Sequence, residues 1–193
     1  MNATRATDAI DDRFMALALG LARRGLGRVW PNPAVGCVIV DRDGRVAGRG
    51  WTQDGGRPHA ETEALRAAGA RARGATAYVS LEPCAHQGHT GPCAAALTDA
   101  GVARVVSAVE DPNPKVAGQG HAMLKARGVD LSVGLRSNEA RALNDGFFKR
   151  ILDDRPRLTL KLATTLDGKI ALSNRQSRWI TGERARAHVD LQR

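Results

Sequence analysis

Apolar positions along this chain follow two periods in turn, and their alternation predicts the fold. Phe14, Leu17, Ala18 and Leu21 recur at helical spacing and Gly25 follows as a stop, so residues 11–24 are expected to form a helix. The stretch 34–40, Ala-Val-Gly-Cys-Val-Ile-Val, is a continuous apolar run of strand length. Asp43 and Gly44 make a turn, and residues 45–50 return as the second strand of a hairpin. The periods then alternate: helix 60–68, strand 75–81, helix 93–100 stopped by Gly101, strand 102–109, helix 120–127 stopped by Gly128, strand 129–133, and one helix over 139–152. A hairpin followed by alternating helices and strands predicts a mixed sheet covered by helices, a three-layer α/β sandwich.

The polar stretch 153–157, Asp-Asp-Arg-Pro-Arg, breaks this pattern and reads as a linker, with a first domain over 1–152. Beyond it, residues 158–162 are expected to start a new strand and Thr181 a new helix. Thirty-odd residues cannot bury a core of their own, so 158–193 reads as the truncated start of a second α/β domain.

Composition narrows the class. Hydrophobic residues make up 42% of the 193, enough for a packed core, and no apolar run approaches the ~20 residues that span a bilayer. The first residues carry acids and no apolar signal core, so the cytoplasm is the expected location. Lys plus Arg outnumber Asp plus Glu by 29 to 20, a net charge of +9. That balance suits nucleic acid or a small phosphorylated ligand. No basic block stands out, however, and seven aromatic residues are poor equipment for stacking bases, so most of this charge is read as solvated surface. Three cysteines, Cys37, Cys84 and Cys93, argue for metal binding or burial rather than a disulfide framework.

Chemistry concentrates in two segments. One is Pro58-His59-Ala60-Glu61; the other runs from Glu82-Pro83-Cys84 to Pro92-Cys93. Together they read His-x-Glu, then Pro-Cys-x8-Cys, a longer-spaced form of the zinc-deaminase signature. A catalytic zinc takes three protein ligands and leaves a fourth position for water, whose pKa it lowers. His59, Cys84 and Cys93 supply one imidazole and two thiolates, and a helix N-terminus at Cys93 favours a thiolate. Glu61, two residues past His59, is placed to move protons between water and a leaving amine. Singly, each of these residues could be core or cap; the ordered set favours catalysis. A closed structural zinc site would need a fourth ligand, for which His86 or His89 is available, but it gives Glu61 no role. Cys37, between valine-rich neighbours, is expected in the core.

Several blocks extend the pattern. Residues 31–40, 56–61, 75–84 and 111–118 resemble the deaminase half of the bifunctional riboflavin-biosynthesis deaminase/reductase family; residues 160–169 and 177–181 resemble the opening of its reductase half. The resemblance implies a cytidine-deaminase-like fold. It also implies hydrolytic removal of the ring amino group of diaminohydroxyphosphoribosylaminopyrimidine, leaving 5-amino-6-(5-phosphoribosylamino)uracil and ammonia. It casts Asn32 as a base contact, Asp111 and Asn113 as ribose or base contacts, and His86 and His89 as neighbours of the phosphate. In the second part it casts Ala163 and Trp179 as lining an NADP(H) site and Ser177 and Arg193 as substrate contacts. The family has histidine at the substrate-facing position of Thr52, lysine or arginine at that of His89, and proline where Gly91 stands. A homodimer or larger assembly is implied as well. No glycine-rich phosphate loop follows Arg157, so the chain alone is not expected to oxidise NADPH. Two other readings stay open: a deaminase of another base or nucleoside, tRNA adenosine included, and a non-catalytic binding domain stabilised by zinc.

Overall fold

The computed structural model describes residues 2–86 and 91–190, with side chains from Asp8 onward. Two compact units are present, Met1–Arg157 and Leu158–Arg193.

The first unit is built on a five-stranded mixed sheet. Its strands are β1 (Gly36–Val40), β2 (Val46–Trp51), β3 (Thr76–Val79), β4 (Arg104–Ser107) and β5 (Asp130–Val133), in the spatial order β2-β1-β3-β4-β5. β1 pairs antiparallel with both β2 and β3, whereas β3, β4 and β5 run parallel. Helices α1 (Asn2–Ala22), α2 (Ala60–Ala68), α3 (Cys93–Asp99), α4 (Gln119–Ala126), α5 (Ser137–Leu143) and α6 (Asp145–Asp153) cover it.

Register shows why there are three layers. Cys37 pairs with Gly50 and Ile39 with Gly48, so these four share one face; Gly36 and Trp51 share the other. A Cβ on Gly48 or Gly50 would meet the α2 backbone, and one on Gly36 would meet the α1 backbone. The two helices therefore lie on opposite faces, and every residue of β1 is buried. Further contacts link α1 to α5 and α5 to α6 on one side, and α2 to α3 and α3 to α4 on the other. The three-layer α/β/α sandwich with a mixed sheet expected from the sequence is the fold observed, and Cys37 lies in its core.

A polar network ties the first helix to the sheet. Asp11 of α1 accepts hydrogen bonds from the Tyr78 hydroxyl at 2.7 Å and from two Arg104 nitrogens at 3.0 and 2.7 Å. Tyr78 belongs to β3 and Arg104 to β4, so one carboxylate joins three elements.

Two expected elements differ. The helix expected over 139–152 is two helices broken at Asn144, whose side chain bonds both backbone groups of Ala34 at 2.9 Å. The expected strand at 158–162 does not form: Leu158, Leu160 and Leu162 are exposed and no neighbouring strand fills their hydrogen bonds among the described residues. The second unit's helix, α7 (Glu183–Asp190), begins two residues after Thr181.

Candidate active site

The site collects at one end of the sheet. There the chain leaves β3 and β4, enters β1, and passes from β2 into α2, the crevice position that open α/β sheets use for ligands. His59 is the N-cap of α2, in extended conformation, so its imidazole is placed by the start of a helix whose alanine face packs on Gly48 and Gly50. Cys93 is the first residue of α3 and is buried. Cys84 sits in the segment after β3, where its sulfur accepts the Cys93 amide at 3.3 Å and its carbonyl accepts the Ala94 amide at 3.1 Å.

These placements converge. His59 Nδ1 lies 3.4 Å from Cys93 Sγ and 3.7 Å from Cys84 Sγ, and the three donor atoms all fall within 4.8 Å of one another. A tetrahedral zinc with bonds of about 2.0 Å to nitrogen and 2.3 Å to sulfur needs N-to-S edges of about 3.6 Å. The spacing and the soft donor set both fit such an ion, with room for a fourth ligand.

Without an ion, the electrostatics divide the two thiols. The Cys84 thiol is held down at about 4: the shared hydrogen bond with Cys93 outweighs burial, and His59 and the Cys93 amide add to it. Cys93 moves strongly the other way, through that shared bond and burial, and so keeps the proton of the pair. Next to them Glu61 is 3% exposed; burial pushes its carboxyl up to about 7 and the Cys84 thiolate pushes in the same direction. A carboxyl at that value can both accept and donate a proton near neutrality.

His59, Glu61 and Cys84 open into a cavity of about 320 Å³ that is also lined by Asn32, Thr52, His86, Asp111 and Asn113. The first unit's residues singled out in the sequence therefore meet in one place, Cys93 just behind the wall and His89 excepted, since it lies outside the described residues.

The zinc-binding region of the cytidine and deoxycytidylate deaminases matches residues 8–109, which include all three donor residues and Glu61. The chain belongs to this zinc-binding deaminase family. The model of the RibD C-terminal domain matches residues 156–193. The riboflavin biosynthesis protein RibD of Escherichia coli K12 is 53% identical over 183 residues, which cover 95% of this chain and 50% of that protein. Acinetobacter baumannii RibD (form 1) superposes with a TM-score of 0.85 at 49% identity, covering 94% of this chain and 51% of that one. A Thermotoga maritima protein, described as a diaminohydroxyphosphoribosylaminopyrimidine deaminase/5-amino-6-(5-phosphoribosylamino)uracil reductase, gives 0.88 at 40% identity, covering 95% and 53%. The chain spans about half the length of the curated relatives it matches.

Individual positions in this deaminase-family site differ in what they can offer. Thr52 is buried, and its hydroxyl accepts the Val35 amide at 2.9 Å and reaches the Pro33 carbonyl at 3.2 Å, so it shapes the wall. Asn32 donates to the Gly56 carbonyl at 2.8 Å, which leaves its own oxygen for a ligand. His86 is exposed at the rim. Asp111 lines the cavity half-buried, and burial raises its carboxyl above the usual range. Cavity residues given no role in the sequence include Arg57, Glu82, Phe147 and Arg150. Arg57 adjoins the His-x-Glu motif and was open to notice. Arg150 comes from α6, stacks on Trp30 at 4.8 Å and donates to the Pro31 carbonyl at 2.8 Å; nothing local in the sequence links residues 119 apart.

In the second unit, Ser177 and Trp179 line a separate cavity of about 520 Å³, with Arg186 4.1 Å from the Trp179 ring. Ala163 is half-buried, and Arg193 lies outside the described residues. Among the described residues no helix is long and apolar enough to cross a membrane.

Proposed function

We propose that this chain hydrolyses the ring amino group of diaminohydroxyphosphoribosylaminopyrimidine, giving 5-amino-6-(5-phosphoribosylamino)uracil and ammonia. The observation that carries the proposal is the convergence of His59, Cys84 and Cys93 beside a buried Glu61 at the foot of a cavity of suitable size. His59, Cys84 and Cys93 would hold the zinc. Zinc, when bound, supplies a Lewis acid that lowers the pKa of water in the site. Glu61 moves the protons of the attacking water, one to the ring nitrogen and one to the departing amine; a C–O bond forms, a C–N bond breaks, and no redox partner is needed. Glu61 suits both steps because it is buried beside the three donor residues and opens into the cavity.

Asn32, Asp111 and Asn113 bind the ring and ribose, Thr52 forms the wall, and His86, joined by His89, attends the phosphate. Arg57 and Arg150 add fixed positive charge to the same cavity, which favours a phosphorylated ligand over a neutral nucleoside. Similarity to the riboflavin-pathway proteins supports this substrate over tRNA adenosine. For residues 158–193 we propose the opening of an NADPH-dependent reductase, with Ala163 and Trp179 at the cofactor and Ser177 and Arg193 at the substrate. We place the protein in the cytoplasm as a homodimer or larger assembly.

The test is ammonia release from this ribotide compared with cytidine, guanine and tRNA. The ribotide is expected to be the preferred substrate by a wide margin in kcat/KM; preference for tRNA would replace the reading.

A further inference from the structure

We infer that Glu82 is a positioning residue whose carboxylate holds the 111–121 segment so that Asp111 and Asn113 stand in the wall of the reaction cavity. The inference rests on the substrate role proposed for those two side chains.

Glu82 is 6% exposed, and four backbone amides converge on it. Oε2 accepts from Asp111 at 3.1 Å and Gly118 at 2.9 Å; Oε1 accepts from Gly120 at 2.8 Å and His121 at 3.2 Å. Those four bonds use the acceptor sites of a carboxylate. A buried charge is tolerable here because the last three amides open helix α4, whose positive end faces the carboxylate. The same saturation argues against a cation among Glu82, Glu110 and His121, which lie within 4.8 Å of one another: metal would have to displace backbone donors.

The anchor is stiff on both sides. The Glu82 amide donates to the Val109 carbonyl at 2.9 Å, fixing it beside the end of β4. Gly120 presses so closely on the Pro83 carbonyl that a Cβ there would lie 1.9 Å from it. Between the Asp111 and Gly118 amides, both held by Oε2, runs the loop that carries Asn113, tightened by the Asn113 amide on Asp111 Oδ1 at 2.8 Å. Glu82 is two residues from Cys84, so one short segment sets both a metal ligand and the substrate wall. It lines the cavity yet offers a substrate no free acceptor, which makes it a support for its neighbours.

The test uses the zinc-loaded 193-residue chain. Glu82→Gln replaces one acceptor oxygen by an amino group, so two of the four amides lose their partner. Zinc content should stay at one per chain, and the amides of 111, 118, 120 and 121 should exchange with deuterium faster by about tenfold or more. KM for the ribotide should rise by roughly tenfold while kcat changes by less than about threefold. In an Asp111→Ala/Asn113→Ala background, adding Glu82→Gln should raise KM no further, because the groups it positions are gone. Unchanged exchange at those amides overturns the inference. So does a KM effect that multiplies undiminished in the double-alanine background, the result a merely structural role would give. Should the wild-type chain release no ammonia from the ribotide, the functional reading fails by itself, and amide exchange still decides whether Glu82 holds the segment. Glu82→Asp, which keeps the charge on a shorter arm, gives the same readouts if the glutamine variant does not fold.

Discussion

Serine at position 84 would keep nearly the shape of the cysteine and remove its soft donor. Cys84 offers one of the two sulfur donors of the site, within 3.7 Å of His59 Nδ1. Cys84→Ser is expected to drop zinc content from one per chain to near zero by elemental analysis after dialysis; unchanged zinc would remove the basis of the site. Glu61→Gln should do the opposite, keeping zinc while losing about 10²–10⁴-fold or more in ammonia release, the range of a positioned acid–base group. Wild-type turnover in that variant would show that the proton moves elsewhere. His59, Glu61, Cys84 and Cys93 were legible in the sequence because their chemistry is tied to a short, ordered motif. Arg150 was not, since it reaches the cavity by packing α6 against the Trp30 loop.

At the scale of elements, the seating of α2 decides where His59 and Glu61 sit. A methyl group on Gly50 would lie 2.1 Å from the Ala60 carbonyl and 2.7 Å from the Ala64 amide, so Gly50→Ala must push the helix off the sheet. Such overpacking typically costs about 1–3 kcal/mol, and zinc affinity should fall with it because the N-cap moves. Denaturant melts and a competitive zinc titration would show this; a variant that keeps both stability and affinity would mean that the helix is not held by the close approach.

Asp11 makes a second test at this scale. Burial works to raise its carboxyl, but the bonds from Arg104 and Tyr78 win and hold it below the usual range. Its contribution should therefore be full above the unfolded value of about 3.9 and fade as pH falls through the lower folded value. Asp11→Ala should cost about 3 kcal/mol at pH 7 by denaturation, with the gap to wild type closing in strong acid. A pH-independent gap would assign the loss to packing alone.

For the whole molecule, the core cluster and every described site residue up to Asn113 belong to the unit Met1–Arg157. A chain ending at Arg157 is expected to keep its zinc and its ammonia release within about threefold of the 193-residue chain, since no hydrophobic core residue lies beyond Phe148 among the described residues. Loss of zinc on truncation would show that residues 158–193 support the site.

Hydrophobic period and motif spacing determined the order of elements, the layered class and the candidate zinc donors, because each is a local property of a few neighbouring residues. Helix α2 runs from Ala60 to Ala68 as its composition says, while strands came out shorter than their apolar runs because pairing ends before burial does. Tertiary structure decided what depends on distant partners. Asn144 breaks one periodic helix into two because Ala34, 110 residues earlier, claims its side chain. Leu158, Leu160 and Leu162 have strand-like residues but no strand beside them among the described residues, and a strand without a partner cannot fill its hydrogen bonds. Thr52 faces the cavity but its hydroxyl is taken by the backbone, and Glu82 sits in the motif yet gathers four amides that only the fold brings within reach. Spacing along the chain says which groups are near in sequence; which lone pairs are already occupied is settled only when the distant backbone arrives.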